Sequence, residues 1–238
     1  MPPRRRTDLV DHLGAGRPGS RQDVVLEELR RVILGGAARP GSAIPVDEVA
    51  EHFGISRIPV REALKTLIGE GLVDHRANFG YCVAQLTIGE LEELYLVRGV
   101  LESAAHAIAV TAASEADDDA ARAAYAALDR SLAEDDPVAY HRESRNFHVA
   151  LVAPCGMPRL LHMFESAWNV TEPVQTMSQV ATPERLQLHR DHRAMLDAFV
   201  ARDGAALRAA TQRHHGRLDV VIAALPTDTG IFRDEPQD

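Results

Sequence analysis

The chain has 238 residues, 45% of them hydrophobic and 26% charged, enough for one sizeable core or two smaller ones, and this balance excludes a disordered chain. A formal charge of −9 argues against a nucleic-acid partner until it is divided: residues 1–85 carry 12 Lys and Arg against 11 Asp and Glu, whereas residues 86–238 carry 14 against 24. Phosphate affinity follows local charge, so the split allows a DNA-binding half beside an acidic half with a different partner. No apolar run is long enough to span a bilayer. Arg4-Arg5-Arg6 has no apolar stretch behind it, and two cysteines, Cys82 and Cys155, make no disulfide framework. These features predict a reduced, cytoplasmic protein with no membrane segment.

Residues 1–20 combine the arginine cluster with Gly14-Ala15-Gly16-Arg17-Pro18-Gly19 and little periodicity, so they read as a flexible arm. From Arg21, Val25, Leu29, Val32 and Ile33 fall at helical spacing, and Gly35-Gly36 ends the helix. A loop through Pro40-Gly41 and Pro45 leads to a short helix, Asp47 to Phe53, with Val46, Val49, Ala50 and Phe53 on one face. Ser56 is expected to cap a third helix, with Pro59 in its first turn and Val60, Ala63, Leu64, Leu67 and Ile68 as its apolar stripe. Leu72-Val73 and Tyr81-Cys82-Val83 flank the polar stretch Asp74–Gly80 and predict a small β-hairpin.

Beyond Leu86 the pattern is helical throughout. Thr87-Ile88-Gly89-Glu90 is a capping-box sequence for a helix to about Ala112. Further starts fall at Ser114, Asp136-Pro137, Met157-Pro158, Thr182-Pro183 and Asp203, with Pro recurring where its missing N–H is not needed. About six helices on short connections, with no internal repeat, predict an antiparallel bundle over 87–226, followed by a flexible tail, 227–238. The expected fold class is therefore mainly α: a winged helix-turn-helix domain over 21–86, then an all-helical domain.

Two short helices joined by Gly54-Ile55-Ser56, with a hairpin behind them, form a helix-turn-helix and a wing. Arg57, Arg61 and Lys65 lie at successive i+4 positions opposite the apolar stripe. Arginine can fork onto guanine and lysine supplies a point charge, so the row suits the major groove, though a solvated helix face shows the same spacing. The run Ile55-Ser56-Arg57-Ile58-Pro59-Val60-Arg61-Glu62-Ala63-Leu64-Lys65, with Leu67 and Glu70-Gly71-Leu72-Val73, resembles the winged-helix domain of the GntR family of bacterial transcription regulators. That resemblance implies that Ser56, Arg57, Ile58 and Arg61 approach an operator and that the wing tip at Arg76, Asn78 and Gly80 touches the minor groove. Ile58 stands where many members carry threonine, and Phe79 is unusual in a wing.

Eight of the eleven histidines lie in the acidic half. His148, His192 and His214 fall on three separate helices beside apolar neighbours, and imidazoles converging from facing helices can hold a divalent metal, although hydrogen-bonded histidines look the same in sequence. His141, His189 and His215 read as ordinary hydrogen-bonded residues. Segments Leu94–Ala105, Glu143–Leu161 and His189–Leu218 are similar to the FCD domain of the FadR subgroup of GntR regulators. The resemblance implies a metal site in which His148, His192 and His214 match three of four ligands. Ser144 stands four residues before His148 where the family's aspartate would be, so the anionic ligand is missing from a zinc, nickel or manganese site. It also implies that Arg98 points into an effector pocket, where a guanidinium could clamp a carboxylate. An Arg98–Glu102 surface pair and packing of Trp168, the sole tryptophan, are the plainer alternatives.

Together these readings predict a transcription regulator, a repressor by the family's commoner mode, not an enzyme. Its partners are double-stranded DNA with a palindromic operator, a small-molecule effector and a second copy in a homodimer. The rival is a three-histidine metalloenzyme, a hydrolase, since three protein ligands with an open position can activate water.

Overall fold

The computed structural model describes residues 8–14 and 21–234, and the chain divides into two compact units. The first comprises residues 1–88 with 169–174 and 227–238; the second comprises 89–168 and 175–226.

In the first unit, α1 (Asp8–Asp11) and α2 (Arg21–Leu34) precede α3 (Val46–Phe53) and α4 (Arg57–Gly69), then β1 (Val73–Arg76) and β2 (Gly80–Val83). The expected stripes are the core: Val25, Leu29 and Ile33 of α2 meet Val49 of α3 and Val60, Ala63, Leu64 and Leu67 of α4, all wholly buried. Gly54 closes α3 in the left-handed region, φ 62°, and its N–H caps the helix carbonyls, a conformation that glycine adopts without steric cost. Ser56 occupies the cap position of α4 in extended backbone, but its hydroxyl makes no capping bond. The serine thus starts the helix by backbone geometry alone. β1 and β2 pair antiparallel from Val73↔Val83 to Arg76↔Gly80. The pairing takes in most of the stretch expected as a turn and leaves 77–79 as the tip, with Asn78 and Gly80 at positive φ.

Two segments expected to be flexible are docked where they are described. Leu9, Val10 and Leu13 are buried in the first unit's core, because three apolar side chains clustered on one turn gain from being covered. Of the expected arm, 1–7 and 15–20 lie outside the described residues. In the tail, Phe232 is buried, Arg233 N–H donates to Leu86 O at 2.9 Å, and Gln85 Nε2 donates to the carbonyls of Gly230 and Phe232. Residues 235–238 lie outside the described range.

The second unit is built from α5 (Ile88–Ala112), α6 (Glu115–Ala133), α7 (Pro137–Val152), α8 (Pro158–Thr171), the one-turn α9 (Thr176–Gln179), α10 (Thr182–Val200) and α11 (Gly204–Ala223). The ends of α5 and α8 that reach residues 88 and 169–171 are grouped with the first unit. Helix starts follow local chemistry. Ser114 and Asp117 form a reciprocal capping box; Asp136 accepts from Val138 and Ala139 N–H; Asp203 accepts from Ala205 and Ala206 N–H. Each carboxylate also favours the positive end of its helix dipole. Short connections set α6 beside α7 and α10 beside α11, with α10 also packing on α6. Leu128, Tyr140, Phe147, Leu188, Met195 and Phe199 fill the space between them. No helix among the described residues is long and apolar enough to cross a membrane.

Candidate functional site

On the first unit, Ser56, Arg57, Ile58, Arg61 and Lys65 all lie exposed on α4 or its cap, opposite the buried stripe. Ile58 is 72% exposed, a large cost in unburied apolar surface for a free helix end. Arg57 Nε reaches Asp47 at 2.5 Å and Lys65 Nζ reaches Glu62 at 2.7 Å. Such solvent-exposed pairs contribute little, so a phosphate can displace either carboxylate. At the hairpin, Arg76 is partly exposed and donates to Gln85 Oε1 at 3.3 Å, Asn78 is exposed and Phe79 at the tip is 56% exposed.

In the second unit, α7, α10 and α11 each turn one histidine inward. His148, His192 and His214 are at most 2% exposed, and each offers a ring nitrogen within 4.8 Å of the others'. His148 Nε2 and His192 Nε2 are 3.1 Å apart, close to the ~3.3 Å edge that a tetrahedral ion with Zn–N of ~2.0–2.1 Å imposes. Burial, and then the neighbouring imidazoles, hold His192 and His214 well below the usual histidine range. Both are therefore neutral near pH 7, the form that ligates metal. His214 Nδ1 is buried with no hydrogen-bond partner, a cost that an ion or water at the cluster removes. The donor set thus fits a borderline divalent ion.

Ser144, one turn before His148, is 7% exposed and carries no charge. The buried anion comes instead from α5, from Glu102, which the sequence offered only as half of a surface pair. Glu102 is 1% exposed; one carboxylate oxygen bonds His148 Nδ1, and the other takes His215 Nε2 at 2.7 Å. Burial opposes its ionisation, but the interactions with His148 and His215 overcome this and hold the carboxyl well below its usual range. His106, a turn further along α5, bonds Thr211 Oγ1 at 3.1 Å through Nδ1. Arg98 is no surface partner of Glu102: it is 3% exposed, with its guanidinium 3.3 Å from the centre of the Trp168 ring and 4.3 Å from that of Tyr95. Arg98, Trp168, Ser144, His141, His148 and His214 line one cavity of about 10 Å³, room for roughly a single water. As expected, His189 is hydrogen-bonded, to Tyr125 and Asp129, and His141 to the Met177 N–H.

Both units resemble known domains. Residues 21–83 match the model of the bacterial regulatory proteins of the gntR family, and residues 93–217 match the FCD domain. Among characterised relatives, the HTH-type transcriptional regulator Mce2R of Mycobacterium tuberculosis is 29% identical over 82% of this chain and 90% of its own length. The HTH-type transcriptional repressor RspR of Escherichia coli is 27% identical over 78% of this chain and 82% of its own. A crystal structure of a GntR-type regulator from Rhodococcus superposes with a TM-score of 0.78 at 24% identity, covering 87% of this chain and all of that one.

Proposed function

This chain belongs to the gntR family of bacterial transcription regulators with an FCD domain, and from that premise we propose a ligand-relieved repressor whose effector site is built around a divalent metal. DNA-binding transcription regulation is common to the family and to its relatives along most of the chain; they give the hydrolase alternative no support. A regulator of bacterial chromosomal DNA works in the cytoplasm, and the name of RspR supports repression as its mode.

The observation that carries the effector reading is the cluster of His148, His192 and His214, of which His148 and His214 line the cavity that Arg98 also lines. The three histidines are proposed to hold zinc, nickel or manganese, and the ion supplies a Lewis-acidic point for one carboxylate oxygen. Arg98 then takes the second oxygen, and Ser144 leaves a polar wall without a competing negative charge. A cavity of about 10 Å³ admits no such molecule unless its walls move, so effector binding and a change of wall packing are one event. Coupling to DNA follows if the effector prefers one arrangement of the DNA-reading domains.

Ser56, Arg57, Ile58, Arg61 and Lys65 are proposed to enter the major groove, with Arg76, Asn78 and Gly80 at the flanking minor groove. Leu96 and Val100, 65% and 61% exposed on α5, form an apolar face that favours a homodimer, whose two-fold symmetry calls for a palindromic operator. A gel shift on the DNA upstream of its own gene, run with zinc and a panel of sugar acids, hydroxy acids and fatty-acid derivatives, tests the whole. The expected result is zinc-dependent release by one carboxylate class. Operator affinity unmoved by any small molecule would reduce the bundle to a structural role.

A further inference from the structure

Resting on the proposed metal site, we infer that Glu102 is its positioning residue: the α5 carboxylate fixes the tautomer of His148, so that Nε2 presents its lone pair to the cluster. A carboxylate only accepts hydrogen bonds, so the bond between Glu102 and His148 Nδ1 places the hydrogen on Nδ1. A ligating ring with its hydrogen on Nδ1 has a bare Nε2, the atom 3.1 Å from His192 Nε2. Were the hydrogen on Nε2 instead, it would point at the other ligands and His148 could not coordinate.

The second oxygen of Glu102 extends the same control to α11. It accepts from His215 Nε2 at 2.7 Å, and His215 is the chain neighbour of the ligand His214. One carboxylate thus braces two of the ligand-bearing helices, and with both oxygens occupied its own rotamer has no freedom. Burying it at 1% exposure is unfavourable without full pairing. A purely apolar residue would pack α5 as well, so the position is explained by what the charge does for the imidazoles. A metal-ligating histidine commonly donates its other N–H to such a carboxylate, and removing that partner typically weakens metal binding about 10- to 100-fold. Ser144 contributes no charge to the cluster, so Glu102 is the buried anion nearest the ligands named here.

Glutamine in its place keeps the shape but offers one acceptor and one donor, and cannot accept from both rings. The test begins with long-range 1H–15N NMR of the metal-free full-length protein, labelled at histidine, in which His148 is expected to show hydrogen on Nδ1 and a bare Nε2. Zinc titrations against a competing chelator then compare wild type with Glu102→Gln, with an expected affinity loss of about 10- to 100-fold, and a cobalt-substituted sample reports the altered ligand field. Far-UV circular dichroism in chelator is expected to be the same for both. A bare Nδ1 on His148 overturns the inference even if the variant fails to fold, and equal zinc affinity in the two proteins overturns it while leaving the metal site standing. Wild type that binds no zinc overturns the metal site and this role with it.

Discussion

The two units treat charge in opposite ways. The DNA-reading unit keeps Arg57, Arg61 and Lys65 in water, and where Arg57 and Lys65 pair with surface carboxylates the pairs contribute little. The bundle takes Arg98, Glu102, His106, His148, His192 and His214 out of water almost completely and packs them among specific neighbours. Exposed charge acts at a distance, is screened by salt and tolerates replacement; buried charge acts over one hydrogen bond and tolerates almost none. A long phosphate-lined duplex suits the first arrangement, and a small ion or carboxylate suits the second.

The contrast breaks most plainly at the proposed metal ligands. Zinc at about a thousand times its Kd is expected to stabilise the native protein by about 4 kcal/mol, and His192→Ala is expected to abolish the accompanying rise in Tm. An equal rise in the variant places the metal elsewhere. Next comes the pH response of the buried half. Burial depresses His106 from 6.5 to about 4, so between those values the unfolded chain binds a proton that the folded chain refuses. The stability is present above about pH 6.5 and lost as pH falls toward 4, by about 3 kcal/mol in all. His106→Gln, which keeps a hydrogen-bonding partner for Thr211, is expected to flatten the stability–pH slope in metal-free protein by roughly one proton.

On the exposed side the effects are smaller and of another kind. Arg57→Ala and Arg61→Ala are each expected to weaken operator binding by about 1–3 kcal/mol per half-site, measured by fluorescence anisotropy, with Tm and oligomeric state unchanged. An unchanged affinity in both would remove α4 from the groove. Smallest is Lys65→Ala, expected to lower the slope of log K against log salt by about 0.9 for each phosphate that the lysine neutralises, again without a change in Tm.

The same contrast explains what was legible. The helix-turn-helix could be read because its information is local: two short apolar stripes, a glycine that must be left-handed at Gly54, and a cationic row at i+4. The helix starts at Ser114, Asp136 and Asp203 were visible for the same reason. The three histidines of the candidate metal site were named, yet nothing in their spacing demanded that they meet; the family resemblance brought them together. Glu102 entered only as half of an alternative surface pair with Arg98, because α5 is turned inside out. Leu96 and Val100 face outward while Arg98, Glu102 and His106, a row at i+4, face the core. On a helix apolar nearly all round, hydropathy does not say which side is covered, and a charged row reads as the wet side. The arm failed in the opposite direction, since glycines around it hid the three apolar residues that dock Asp8–Leu13.

Lysine is as scarce in this chain as arginine is common. Lys65 is the only one, and its side chain is 64% exposed on the face proposed for DNA. An amine-directed acylating reagent therefore has one side-chain target in the whole protein. Mass spectrometry of the peptide carrying Lys65 becomes a footprint of operator occupancy, read without a mutation or an attached dye. Protection by operator DNA, and its loss when an effector is added, would follow the regulator through its cycle at a single atom, Nζ.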